Sequence, residues 1–257
     1  VYWFAGGAFQ HVRQEWKVER ANIALAEQGR AVLMDLARNL HNIRERINQA
    51  CLRANRDPQS IQLLVVTKMV EHATIEELIK LGVSTFGENR VLQAKDRCER
   101  FSQAQWHLIG TLQTNKVKYC RDFAMIHSVD RWHLAQVLEE KAAQWDKQVQ
   151  ILIQVNIANE ATKHGVTVDQ ALTLAERVTQ ECPHLNIRGL MGMAPLVQPE
   201  DTRSYFRRLA DLYAELRVKI KPDVDILSMG MSNDFEVAIE EGATMVRIGS
   251  ALFTEEE

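Results

Sequence analysis

The sequence offers little to disulfide, metal or membrane chemistry. Its four cysteines, Cys51, Cys98, Cys120 and Cys182, stand far apart with no CxxC pair, so neither a zinc knuckle nor a disulfide framework is indicated and reduced thiols in the cytosol are expected. Only five prolines occur, and no Pro/Gly-rich stretch marks a linker between domains. No apolar run is long enough to span a membrane. The opening VYWFAGGAF lacks a basic leader and is followed by the charged RQEWKVER, which argues against a signal peptide. Neither sign of charge dominates: the formal net charge is -3, so there is no global basic field for nucleic acid or an anionic membrane. No GxSxG elbow is present, and no carboxylate-rich cluster accompanies a histidine, which disfavours triad and metal chemistry.

What remains is ordinary globular composition, 257 residues that are 46% hydrophobic and 25% charged, enough for one large core. Residues 1–32 fit poorly with the rest and read as an N-terminal appendage, either an amphipathic helix on Phe9, Val12, Trp16 and Ile23 or a mobile leader. Leu36, Leu40, Ile43, Ile47 and Leu52 then form the stripe of an amphipathic helix that Asp57-Pro58 ends. From there strand-like runs alternate with helix-like stretches. The runs lie at 61–67, 84–86, 106–109, 124–127, 150–157, 187–190, 225–228 and 245–248. Eight βα units in residues 33–257 predict a single (β/α)8 TIM-type barrel with an N-terminal helical extension, and a doubly wound open sheet is the alternative.

In such a barrel the residues after each strand build the active face. Lys68 ends the buried run IQLLVVT, where partial loss of hydration can lower the pKa of an amine. One reading is a lysine that attacks a carbonyl, with pyridoxal 5'-phosphate as the usual aldehyde partner; the other is a solvated lysine after a strand. Glu88 and Asn89 follow the second run, His107 and Gly110 mark the third, and Asn156 follows the fifth. Gly230, Ser232 and Asn233 follow the seventh, and Gly249 with Ser250 follow the eighth. These small residues suit close approach of backbone N–H groups to a phosphate, although Ser232 and Asn233 are equally good helix caps. Arg247 interrupts an apolar strand: pointing inward it needs a carboxylate or a ligand acceptor, whereas pointing outward it would pair with Glu240 or Glu241. His107 reads either as a satisfied core residue or as part of the site.

Taken in order, VVTK, FGEN, WHLIGTLQTNK, VNIANEATKHG, IRGLMGMAP and SMGMSNDFEVAIEEGATMVRIGSALF resemble the pyridoxal phosphate homeostasis protein family from about Leu36 to Phe253. The resemblance implies a barrel of the alanine-racemase N-terminal type that binds pyridoxal 5'-phosphate covalently through Lys68. It implies phosphate contacts from Ser232, Gly249 and Ser250, an approach of Arg247 to the pyridine nitrogen, and Asn89 and His107 lining the same mouth. The departures are Thr67 where many members have serine, Arg90 where tyrosine often follows GEN, and the N-terminal leader. A cationic Arg247 beside the ring nitrogen would weaken the cofactor as an electron sink, so the expected role is to hold, buffer and transfer the cofactor, with no catalytic residue assigned. The competing readings are a minimal amino-acid racemase or lyase and a phosphate-binding isomerase without the cofactor. Expected partners are the cofactor and cofactor-dependent apo-enzymes, and the resemblance suggests a monomer.

Overall fold

The computed structural model describes residues 35–160 and 164–254. The appendage expected over residues 1–32 lies outside them. Helix α1, described over 35–53, buries Leu36, Leu40, Ile43 and Ile47, the four leading positions of its expected stripe. Leu52 is the exception at 66% exposure. Five residues beyond Ile47 it has rotated off the face, and Ala50 and Cys51, at steps of three and four, are buried in its place. After a 3-10 turn at Pro58–Ser60, capped by the Asp57 carboxylate on the Gln59 N–H at 2.9 Å, the chain enters the sheet.

The strands are β1 (Gln62–Val66), β2 (Thr85–Glu88), β3 (Gln105–Leu108), β4 (Met125–Val129), β5 (Val149–Val155), β6 (Leu185–Gly192), β7 (Ile226–Ser228) and β8 (Met245–Ile248). Each pairs in parallel with the next, and β8 pairs in parallel with β1 through Leu64 opposite Arg247, so the sheet is a closed barrel rather than an open one. The outer helices are α2 (His72–Lys80), α3 (Val91–Arg100), α4 (Trp132–Gln144), α5 (Val168–Glu181), α6 (Arg203–Lys219), α7 (Phe235–Glu240) and α8 (Ser250–Phe253). Between β3 and β4 the connection is a 3-10 segment, Thr114–Tyr119, rather than an α-helix. Its buried Val117 supplies the apolar cover that a helix would provide elsewhere.

Strand alternation sorts side chains into two cores. Outward residues such as Val65, Phe86, Leu108, Ile126, Leu190 and Val246 pack under the helices, with α6 contributing Phe206, Leu209, Leu212 and Leu216 from one face. Inward residues Leu64, Met125, Leu152, Met191, Ile226 and Met245 fill the barrel's centre. Gly87 makes this packing fit, since a Cβ there would lie 2.2 Å from Leu64 Cδ2. Helix α1 crosses the seam side: Asn39 Nδ2 donates to Leu252 O at 3.2 Å, and Arg56 Nη1 donates to Ile239 O at 2.6 Å. Burying Leu36, Leu40, Ile43 and Ile47 stabilises this attachment by roughly 1.5–3 kcal/mol per side chain.

Candidate functional site

At the C-terminal ends of β1, β6, β7 and β8 lies a cavity of about 450 Å³, within the usual range for a small-molecule site. Lys68 and Met69 line it after β1, Ala194 to Val197 after β6, Met231 to Asp234 after β7, and Arg247, Gly249 and Ser250 from β8 onward. Five of the seven expected binding residues, Lys68, Ser232, Arg247, Gly249 and Ser250, therefore share one pocket.

Lys68 is exposed, in contrast to the partly dehydrated amine expected at the end of a buried strand. The strand's burial stops with Thr67, and the next turn carries both Lys68 and an 87%-exposed Met69 over the mouth. The turn itself is tied down from below. Arg97 of α3 donates from Nη1 to Thr67 O at 2.6 Å and from Nη2 to Val70 O, and Gln93 Nε2 donates to Lys68 O at 3.3 Å. Arg97 also ion-pairs with the fully buried Glu88, which accepts a further hydrogen bond from Thr67 Oγ1. Burial is the largest influence on the Glu88 carboxyl and raises its pKa, with Thr67 and Arg97 acting against it.

The opposite wall gathers main-chain donors around a hydroxyl. Ser232 Oγ accepts from the backbone N–H groups of Gly249 at 3.3 Å and Ala251 at 3.2 Å, so two main-chain donors converge on one oxygen beside the cavity. Gly230 brings this loop in with φ +88°, and a Cβ on it would lie 2.6 Å from Ala238 Cβ and 2.9 Å from Phe235 Cα. Asp234 shapes the same loop by accepting from Met231 N at 2.6 Å. Burial raises its carboxyl pKa.

Arg247 forms the floor. It points inward and is 4% exposed, while Glu240 and Glu241, the partners it would have had on the outside, pair with Arg53, Arg203 and Arg207. Its guanidinium donates to neutral acceptors, Ser228 Oγ at 2.8 Å and Gly192 O at 3.1 Å. Burial pushes its pKa down to about 10, so at neutral pH it stays a cation in a poorly solvated place.

His107 lies beneath the pocket rather than at its mouth. As the third residue of β3 it points into the barrel, and its Nδ1 is 2.9 Å from His127 Nε2, which reaches Ser228 Oγ through Nδ1 at 3.4 Å. A polar tier thus runs from His107 through His127 and Ser228 to Arg247. Burial pushes His107 down to about 4 and holds His127 well below its ordinary value, so both rings are neutral near pH 7. Asn89 is displaced from the pocket as well: it is exposed just past the end of β2 and lines a neighbouring cavity of about 850 Å³ with Arg90, Gln93, Lys116 and His164. Among the described residues no group of three or more His, Cys, Asp or Glu could hold a metal ion.

His127, Asp234 and the Glu88–Arg97 pair were not singled out from the sequence as parts of the site. For Asp234 a signal existed, its place directly after Ser232 and Asn233. For His127 the only hint was a polar residue at the end of the fourth apolar run.

Comparison with known proteins places the chain in a family. The family described as "Alanine racemase, N-terminal domain" matches residues 35–257. The chain is similar to "Pyridoxal phosphate homeostasis protein" of Aquifex aeolicus, with 42% identity over 86% of this chain and 99% of that protein. It is also similar to the protein of the same name from Escherichia coli K12, with 37% identity over 85% of this chain and 96% of the other. Among solved structures, PipY of Synechococcus elongatus PCC7942 with PLP bound superposes with a TM-score of 0.73 at 31% identity, covering 85% of this chain and all of that one.

Proposed function

The chain belongs to the pyridoxal phosphate homeostasis proteins, built on the alanine racemase N-terminal domain, and on that premise we propose that it binds pyridoxal 5'-phosphate in the cavity between β1 and β8 to hold, buffer and hand on the cofactor. The observation that carries this reading is a single pocket with a primary amine on one wall, two convergent backbone N–H groups on the other and a buried guanidinium at its floor. When bound, the cofactor supplies an aldehyde carbon to which an amine nitrogen can bond, the carbonyl oxygen leaving as water with the two amine protons.

Lys68 Nζ is the amine that fits, since it is the lysine lining the cavity. Ser232, Gly249 and Ser250 would hold the phosphate, the Ser232 hydroxyl now accepting the two main-chain N–H groups there. Arg247, buried at the floor, would meet the pyridine nitrogen, and a cation there would disfavour protonation of the ring. Among the described residues lining the pocket there is no tyrosine or histidine, and the carboxylate of Asp234 is engaged with the Met231 N–H. The site is thus well furnished to retain a cofactor and poorly furnished to move a substrate proton, which supports a carrier over a racemase or lyase.

No helix among the described residues is long and apolar enough to cross a membrane. We place the protein in the cytoplasm, in keeping with four buried, unpaired thiols. The acceptors are apo-enzymes that require the cofactor, and the working form is a monomer, which light scattering on the purified protein will test.

The test of function is the absorption spectrum of wild type and Lys68→Ala after incubation with pyridoxal phosphate, followed by borohydride reduction and peptide mapping. A yellow band and a reduced adduct on Lys68, without exchange of the α-proton of alanine in deuterium oxide, support the carrier. Lys68-dependent exchange would make it an enzyme, and a colourless protein with no adduct would overturn cofactor binding altogether.

A further inference from the structure

The turn that presents Lys68 has no apolar anchor of its own at its tip. Lys68 and Met69 are exposed, and the backbone leaves β1 at Val66 to re-enter a helix only at His72. Val70 N–H donates to Thr67 O at 3.0 Å and Val70 packs against the core, closing the base of the turn. Side chains of the neighbouring α3 hold three of its carbonyls as well: Arg97 takes Thr67 O and Val70 O, which bracket the lysine, and Gln93 takes Lys68 O.

We propose that Arg97, supported by Glu88, is the positioning residue of Lys68, setting the place of its Cα and hence the reach of its amine into the cavity. This rests on the reading of Lys68 as the covalent anchor. The choice of residue follows from the geometry. A planar guanidinium presents donors in a fixed fork and can hold two carbonyls and a carboxylate together, whereas a lysine ammonium is a point charge without that fork. Arg97 is 4% exposed and Glu88 fully buried. A buried ion pair is often no more stabilising than apolar residues of similar volume, so fold stability alone is a weak reason for placing one beneath this turn. Glu88 keeps the guanidinium neutralised, and through Thr67 Oγ1 it adds a side-chain tie to the residue just before the lysine. The three tethers come from the adjacent βα unit, so the position of Lys68 is referenced to the β2–α3 unit as well as to the closure of its own turn.

The test separates presentation of the amine from formation of the pocket. Wild type, Arg97→Lys, Arg97→Met and Gln93→Ala are mixed with pyridoxal phosphate in a stopped-flow absorbance experiment. Equilibrium binding of pyridoxine 5'-phosphate, which carries an alcohol in place of the aldehyde, is measured in parallel, with far-ultraviolet circular dichroism as the check on folding. Arg97→Lys keeps the charge opposite Glu88 and carries the test if Arg97→Met fails to fold. The expected result is that Arg97→Lys binds pyridoxine phosphate within about twofold of wild type but reacts about 10- to 100-fold more slowly, the scale of a misplaced reacting group. Gln93→Ala should show a smaller slowing of the same kind. An Arg97→Lys protein that reacts at the wild-type rate overturns the proposal, as does one that loses pyridoxine phosphate affinity in the same proportion, since Arg97 would then support the whole pocket. Absence of a Lys68-dependent band in wild type is a different failure, that of the anchoring reading itself.

Discussion

Replacing Arg247 by methionine should destabilise the fold only modestly while costing much of the affinity for the cofactor. The drop of the guanidinium pKa from 12.5 to about 10 corresponds to roughly 3 kcal/mol by which the fold disfavours the charge. The sign matters: a base whose folded-state pKa is depressed is penalised fully below about pH 10 and escapes the penalty only as the pH rises through the folded and unfolded values. At neutral pH the native protein therefore carries the whole cost. Removing the charge relieves it. Against that gain stand the hydrogen bonds to Ser228 Oγ and Gly192 O, worth about 1.5–3 kcal/mol each for a charged donor. The bonds lost outweigh the relief by between nothing and about 3 kcal/mol, so the expected change is a modest destabilisation, at most several degrees in melting temperature. Cofactor affinity has no such compensation. On the proposed contact between Arg247 and the pyridine nitrogen, losing one charge-assisted hydrogen bond should weaken binding about 10- to 100-fold. Urea denaturation at pH 7 and a titration with pyridoxal phosphate measure both quantities on one preparation. A variant that melts far below wild type would show that Arg247 is a structural residue, and unchanged affinity would show that it does not meet the cofactor.

Gly230→Ala should destabilise the protein by more than Gly82→Ala, although both residues have positive φ, because a Cβ at Gly230 meets Ala238 and Phe235 while Gly82 faces open space. Urea denaturation should give about 1 kcal/mol for Gly82→Ala and at least about 2 kcal/mol for Gly230→Ala, and equal costs would contradict the packing argument. The buried histidine pair makes stability fall on acidification. Burial holds His107 down to about 4 and holds His127 well below its ordinary value, so the unfolded chain takes up protons that the native one refuses as the pH drops below that ordinary value. Relative to wild type, His127→Gln should lose roughly 2 kcal/mol of that dependence between pH 7 and pH 5, about 1 kcal/mol per pH unit on average, measured as unfolding free energy. A variant with the wild-type slope would mean that His127 is already charged in the native state.

Much of the architecture could be read because parallel strands buried on both sides announce themselves as short β-branched runs, and all eight fall within a few residues of the observed ones. Arg247 was legible as a charge interrupting an apolar strand, but its direction was not; the structure turns it inward, on the face that Met245, two residues earlier, presents to the barrel's centre. The small residues after β7 and β8 were legible for the same local reason, and Ser232, Gly249 and Ser250 do line one cavity. Contacts between elements were harder to see. The Glu88–Arg97 pair joins a strand to the next helix, and His107 meets His127 across two strands, arrangements with no periodic trace in one sequence. Leu52 misled by being apolar at a step of five, and Asn89 by standing next to a motif whose preceding residue, Glu88, is the one turned into the protein.

The strand that closes the barrel has a consequence for how the protein is made. Lys68 follows the first strand and Arg247 belongs to the last, and these two strands lie side by side only through the pairing of β1 with β8. During synthesis the amine emerges early, long before the floor and the opposite wall. On the proposed reading, a chain cut short before its final strand would carry the amine without the floor and wall that complete the cavity, and such a truncated protein should bind no cofactor.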